Sequence, residues 1–194
     1  KILGGYGDGG FILTNNFKFY NRVKNIRFYG IDTVNKKNKF YNKYYSNLNG
    51  INSRLDEINS NILNFKLKKV DNFIKKRRAI AKIYDQALKN TSLILPVRDK
   101  DSFDVFHLYT VCHNKKSSIV KHLLKHGIQT RTIYPYPIHK MSGYKHFFKN
   151  KKFPISEDKS KGIFSLPLYP ELDIADVKKI CKILVRFLSK IDRY

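Results

Sequence analysis

Apolar positions along this chain fall into helical stripes separated by short continuous runs. Phe11-Ile12-Leu13-Thr14 reads as a short buried strand. Asn15 or Asn16 can then cap a helix carrying Phe19, Val23 and Ile26 and ending near Gly30. Residues 31–49 show no period and are rich in Asn, Lys and Tyr, which predicts a long loop. Order resumes at Leu55, Ile58 and Ile62 and continues through Leu63, Leu67, Val70, Ile74, Ile80, Tyr84 and Leu88. That spacing predicts one long helix, or two abutting ones, over about residues 53–89. The opposite face carries Lys75-Lys76-Arg77-Arg78 and is expected to be solvated.

Beyond Pro96 the pattern changes. Val105–Val111 is predicted as a strand with apolar residues on both faces. Ser117–His126 is a helix with Ile119, Val120, Leu123 and Leu124 inward, closed by Gly127. Ile128–Ile133 is a second strand, and residues 134–154 form a loop with a short helix around Tyr144–Phe148. Ile163–Leu166 is a third strand, stopped by Pro167. Asp173 caps a last helix burying Val177, Ile180, Ile183, Leu184 and Phe187. The stretch from 104 to 194 is therefore expected to be a compact two-layer α/β unit.

Composition narrows the class. With 194 residues, 42% hydrophobic and 14% aromatic, the chain can bury a real core. No apolar run approaches the ~18 residues of a membrane span, and no secretory signal is visible. Cys112 and Cys181 are far apart in apolar stretches and read as reduced, buried thiols, so a cytoplasmic location is expected and no metal site. The net charge of +24 invites a nucleic-acid reading. However, the 39 basic residues are 30 Lys and 9 Arg, scattered in short pairs. Forked contacts to nucleic acid favour arginine, so no specific nucleic-acid site is expected.

Candidate chemistry begins at residue 1. Lys1 opens onto Leu3-Gly4-x-x-Gly7-Asp8-Gly9-Gly10, with no methionine before it. The glycines do not form a dinucleotide fingerprint, because no strand precedes them and a strand is expected after them. Further motifs follow in order: Asn52-Ser53-Arg54-Leu55-Asp56-Glu57-Ile58, Lys66-Leu67-Lys68, Arg77-Arg78-Ala79-Ile80-Ala81 and His107-Leu108-Tyr109. Tyr134-Pro135-Tyr136-Pro137-Ile138-His139 and Ser165-Leu166-Pro167-Leu168-Tyr169-Pro170 complete the set. Together they resemble the sugar aminotransferases of the DegT/DnrJ/StrS type, which use pyridoxal phosphate. Two departures stand out. Asn59-Ser60-Asn61 replaces a usual Gln-Ala-Ala, and Ile133 stands where many relatives have His.

The resemblance implies an α/β protein: the C-terminal part of a fold type I, aspartate aminotransferase-like transferase. Residues 1–95 would be the end of the cofactor-binding large domain, with a long interdomain helix, and 96–194 a small α/β domain. The half upstream of Lys1 would be missing, and with it the ring-nitrogen partner and stacking residue of the cofactor. The 194-residue chain alone is expected to be inactive, and appreciable transamination by it would contradict that. A lysine amine is protonated at its ordinary pKa of ~10.4, and covalent attachment of an aldehyde cofactor removes that obstacle. Lys1 would be both covalent anchor and acid/base. Histidine at this position marks related sugar dehydratases, so lysine argues for amino transfer. An amino donor, usually glutamate, would supply nitrogen to a keto-deoxysugar nucleotide, as in polysaccharide and sugar biosynthesis. Asn52 resembles the asparagine that reaches the cofactor phosphate of the neighbouring subunit in a homodimer, or it caps a helix. Arg54 would hold phosphate or substrate, or make a structural ion pair. Tyr134 and His139 would line the sugar site. His107 is expected to be a packed core or interface residue, and Asp8 to order the glycine loop. The alternatives are a basic module binding nucleic acid or another polyanion, or an inactive truncated remnant. Apolar surface left exposed would argue against the basic module.

Overall fold

The structure, a computed structural model, describes residues 1–32 and 44–193. Much of the loop expected over residues 31–49 therefore lies outside the described residues. The described chain forms two compact units, residues 3–68 and residues 69–194 together with Lys1 and Ile2.

In the first unit, α1 (Phe17–Ile26) starts at Asn16, whose side-chain oxygen accepts from the Phe19 N–H at 3.0 Å. Gly30 adopts φ +73, and a Cβ there would lie 1.8 Å from the Leu48 carbonyl oxygen, so only glycine closes this turn. Helix α2 (Glu57–Leu67) is capped by Asp56, which accepts from the Asn59 N–H at 2.7 Å. The strand expected at Phe11–Thr14 is not formed. Phe11, Ile12 and Leu13 are 78%, 61% and 86% exposed, and no described strand lies alongside to take their backbone hydrogen bonds. Ile58 and Leu67, expected on a buried stripe, are also exposed.

The second unit holds the core. Helix α3 (Val70–Leu88) is separated from the end of α2 by two residues, so the helical stretch is two abutting helices. It buries Ile80, Ala81, Tyr84 and Leu88 against α6 (Ile174–Ile191), which buries Val177, Ile180, Cys181, Leu184 and Leu188. Asp173 caps α6 by accepting from the Ala175 N–H at 2.8 Å. Strand β1 (Tyr109–Cys112) pairs antiparallel with β2 (Ile163–Leu166), Tyr109 opposite Leu166 and Cys112 opposite Ile163. Helix α4 (Lys116–Lys125) lies against α6 and ends at Gly127, φ +74. Short 3-10 turns occupy Ile138–Lys140 and Lys145–Phe148.

Two strand expectations change here. The run from Val105 becomes strand only at Tyr109, because Phe106 takes a left-handed φ of +49 that no strand accommodates. The run 128–133 contributes a single bridge, Arg131 opposite Ser165. A helix, α5 (Pro154–Gly162), precedes β2 in a stretch to which the sequence pattern assigned no element beyond the loop ending at residue 154. It begins on Pro154, whose fixed φ and missing N–H suit the first helical position.

The Tyr84 and Tyr109 rings meet at 4.9 Å between centroids. The Tyr84 hydroxyl donates to the Pro167 carbonyl at 2.8 Å, and the Tyr109 hydroxyl to Asp85 at 2.7 Å. Burial, ahead of other causes, raises both phenols above their usual range, so they remain neutral donors. Cys112 and Cys181 are free, and burial pushes the Cys181 thiol up to about 11. Cys112 is only half-buried, which corrects the expectation of two buried thiols. Among the described residues no helix is long and apolar enough to cross a membrane.

Candidate active site

Residues far apart in sequence converge on Lys1 within the second unit. The Lys1 amine is exposed, and its Nζ lies 3.5 Å from the Tyr134 hydroxyl across 133 positions of sequence. Tyr134 follows the bridged residue Arg131 and opens the loop that runs into the Ile138–Lys140 turn. His107 belongs to the same neighbourhood. Desolvation, then the positive charge of Lys1 and Arg77, lowers its imidazole pKa below the ordinary value. It is exposed in the single chain, which corrects the core half of the expectation.

His139 is partly buried between rings, 4.7 Å from the Phe153 centroid, and its Nε2 sits 3.1 Å from Glu157 Oε1. Lys140 pairs with the other oxygen of Glu157. The Lys140 and His139 hydrogen bonds hold the Glu157 carboxyl down to about 2. The structure thus turns His139 toward Glu157 and fixes the end of the Tyr134–His139 motif on α5.

Asn52 and Arg54 lie in the first unit, on the segment leading into α2. Both are exposed, and Arg54 rests over the Phe28 ring at 5.3 Å. With Asp8, Gly9, Gly10 and Arg27 they line a groove of about 930 Å3. The glycine loop of this unit is anchored by Asn59, which is 4% exposed and accepts from the Tyr6 N–H at 3.1 Å. A Cβ on Gly5 would lie 2.7 Å from Asn59 Oδ1, so the loop lies against the amide only because that position is glycine. The residue that stood out as a departure from the family pattern is therefore the one that seats the loop. Lys66 adds a hydrogen bond to the Gly4 carbonyl.

Sequence reasoning missed Arg77 and Arg78, which were expected on a solvated face. Arg77 Nη1 instead donates to the carbonyls of Phe106, His107 and Leu168, and Arg78 Nη1 to that of Asp104. Their place in a run of four basic residues concealed this, since a charge run carries no signal of which members turn inward.

The model of the DegT/DnrJ/EryC1/StrS aminotransferase family matches residues 1–185. The chain belongs to this family. It is 35% identical over 178 residues to a dTDP-3-amino-3,4,6-trideoxy-alpha-D-glucose transaminase of Micromonospora megalomicea subsp. nigra, covering 89% of this chain and 46% of that protein. It is 34% identical over 179 residues to a dTDP-3-amino-3,6-dideoxy-alpha-D-galactopyranose transaminase of Aneurinibacillus thermoaerophilus, covering 92% and 47%. Among solved structures, a family aminotransferase from Brucella abortus superposes with TM-score 0.85 at 30% identity, over 97% of this chain and 48% of that one. DesV of S. venezuelae gives 0.86 at 29%, over 97% and 49%. The chain thus has the α/β architecture of the fold type I aminotransferases and spans about half the length of the relatives it matches.

Proposed function

We propose that this family member serves in a pyridoxal-phosphate-dependent aminotransferase delivering an amino group, from an amino-acid donor such as glutamate, to a keto-deoxysugar nucleotide. The reading is carried by one observation: the exposed amine of Lys1, at the head of the glycine motif, stands beside the hydroxyl of Tyr134 from the Tyr-Pro motif. The relatives named above as sugar transaminases support the substrate class.

The donor set fits the cofactor. An aldehyde-bearing phosphate ester needs an open primary amine and N–H donors for its phosphate. Lys1 offers the first, and the exposed side chains of Asn52 and Arg54, in the other unit, offer donors of the second kind toward the site of a neighbouring subunit. When bound, the cofactor supplies the electron sink on which amino transfer depends. Lys1 Nζ would be the amine that holds the cofactor and, as a free amine, the base that would move the proton of the donor α-carbon. Tyr134 Oη orients that amine and, with the loop ending at His139, lines the sugar side. Asn52 serves the phosphate of the neighbouring subunit in a homodimer. By role, residues 1–95 belong to the cofactor-binding part and 96–194 to the small domain. The polyanion-binding alternative is not favoured, and large apolar side chains such as Phe11 and Leu13 stand exposed.

The test is reductive labelling of the chain with pyridoxal phosphate and borohydride, read by peptide mass spectrometry. Label concentrated on Lys1 and lost in Lys1→Ala is expected. Lys1→Ala keeps the backbone amine, so the loss identifies Nζ. Label spread over the other exposed lysines would overturn the assignment.

A further inference from the structure

We propose that His122 and His126, at the end of α4, form a binding site for a divalent transition-metal ion, copper(II) or nickel(II), held by the two imidazoles and completed by water. The site shares no residue with the candidate active site.

Residues four apart on a helix lie one above the other on the same face. His122 is in the last turn of α4, and His126 is its C-terminal cap. Their ring centroids lie 4.5 Å apart, with the planes tilted by 47°. Imidazole nitrogen binds such ions at ~2.0–2.1 Å, which leaves each ring centroid about 3.2 Å from the ion. Two rings at right angles around it then stand about 4.6 Å apart, and a tetrahedral pair about 5.3 Å. The separation found here fits the right angle. That is the arrangement of square-planar and tetragonal sites, which copper(II) and nickel(II) adopt and zinc does not.

Both rings are held before any ion arrives. His122 stacks on Phe187 of α6, with centroids 4.0 Å apart and planes 10° from parallel. His126 Nδ1 lies 2.9 Å from the His122 carbonyl oxygen. A carbonyl only accepts, so Nδ1 carries the proton and the lone pair of the neutral ring is at Nε2. An outer hydrogen bond of this kind fixes tautomer and orientation in metal-ligating histidines. His126 is exposed and His122 half-buried, so an ion has access to the pair.

The surrounding charges divide. Lys125 and Lys190 act on His122 and oppose a dication. The carbonyl end of α4 favours one. Among the described residues no group of three or more His, Cys, Asp or Glu could hold a metal, so the protein supplies two ligands. Two neutral nitrogens beside two cations select the ions that bind nitrogen most tightly, with copper(II) first. Calcium and magnesium, which take oxygen ligands, are excluded. No metal site was expected from the cysteines, and neither ligand here is a cysteine.

The experiment titrates the metal-free 194-residue chain with copper(II) sulfate in a buffer that does not bind metal. Calorimetry reads the affinity, and electron paramagnetic resonance reads the nitrogen ligands. The tightest copper(II) is expected to show two imidazole nitrogens and to bind more tightly than nickel(II). His126→Gln removes one ligand at an exposed position. Affinity is expected to fall by about tenfold or more, because the second bond is no longer intramolecular, and one nitrogen should leave the spectrum. His122→Gln is expected to do the same. Should that variant disturb the stack on Phe187, His126→Gln carries the test alone. An affinity unchanged in His126→Gln, or a spectrum that loses no nitrogen, places the copper on other donors of the chain and overturns the proposal. Binding by native chain and variant alike only at millimolar copper means an adventitious ion only, and overturns it too.

Discussion

Helices α1 and α6 are both strongly amphipathic, yet they meet opposite fates. In α6 five side chains are buried against α3 and α4. In α1 none of ten residues is buried, and Phe19 and Tyr20 stay 46% and 48% exposed. The same contrast runs through the two units. The core residues, from Ile80 to Leu188, all belong to residues 69–194, whereas in the described part of residues 3–68 only Gly30 and Asn59 are buried. Amphipathic spacing therefore states which face of a helix prefers to leave water. It does not state whether a neighbour is there to receive it.

The largest effect expected from this contrast is on stability. Leu184 is fully buried, and Leu184→Ala should cost about 2–5 kcal/mol through lost transfer energy and a residual cavity. Phe19→Ala, at a half-exposed site, should change the stability of the 194-residue chain by no more than ~0.5 kcal/mol. Urea unfolding of both variants tests this, and similar losses would break the comparison.

A smaller, local effect is expected where the first unit does bury something. Asn59→Ala removes the acceptor of the Tyr6 N–H, a bond worth about 1 kcal/mol. Hydrogen exchange at the Tyr6 amide should accelerate about fivefold, as that energy implies, while the amides of α6 remain protected. Coupled acceleration in α6 would show that the glycine loop is not held locally.

These elements also mark how far the sequence was legible. The Asp173 cap and the Gly127 stop depend on local backbone chemistry and lie where the sequence places them, while the α6 stripe buries Val177, Ile180 and Leu184 as expected but Cys181 and Leu188 more fully than Ile183 and Phe187. The Phe11–Thr14 strand does not form, because a strand is completed by hydrogen bonds to another segment and no run of apolar residues specifies that partner. Phe106 is illegible for a different reason. An aromatic residue carries no preference for positive φ, and the turn exists only through Asp104, Arg77 and Arg78. The family resemblance singled out Lys1 and Tyr134 as separate motif residues, but their proximity emerges only when the loop after Arg131 is folded. Asn59 was visible as a departure, while its role in seating Gly5 and Tyr6 required the helix to be built first.

The mildest effect sets a charge-held cluster against the burial-held core of its own unit. Around α5, His139 and Lys140 converge on Glu157, and Phe148 and Phe153 pack at the imidazole. The Glu157 carboxyl is depressed from 4.5 to about 2, first by Lys140 and then by His139. A carboxyl whose folded-state pKa is depressed favours the folded form above its ordinary pKa, and that contribution is lost as pH falls through the depressed one. The cluster should therefore hold at neutral pH and loosen between about pH 4.5 and pH 2. NOEs between the His139 and Phe153 rings should weaken over that window while those between Tyr84 and Tyr109 persist. Glu157→Gln should show the loosened state already at neutral pH, with little change in global unfolding, because exposed pairs contribute little. Salt should weaken the native cluster in the same direction by screening. Ring contacts that survive unchanged to pH 2 would show that packing by Phe148 and Phe153, rather than charge, holds the end of the Tyr134–His139 loop.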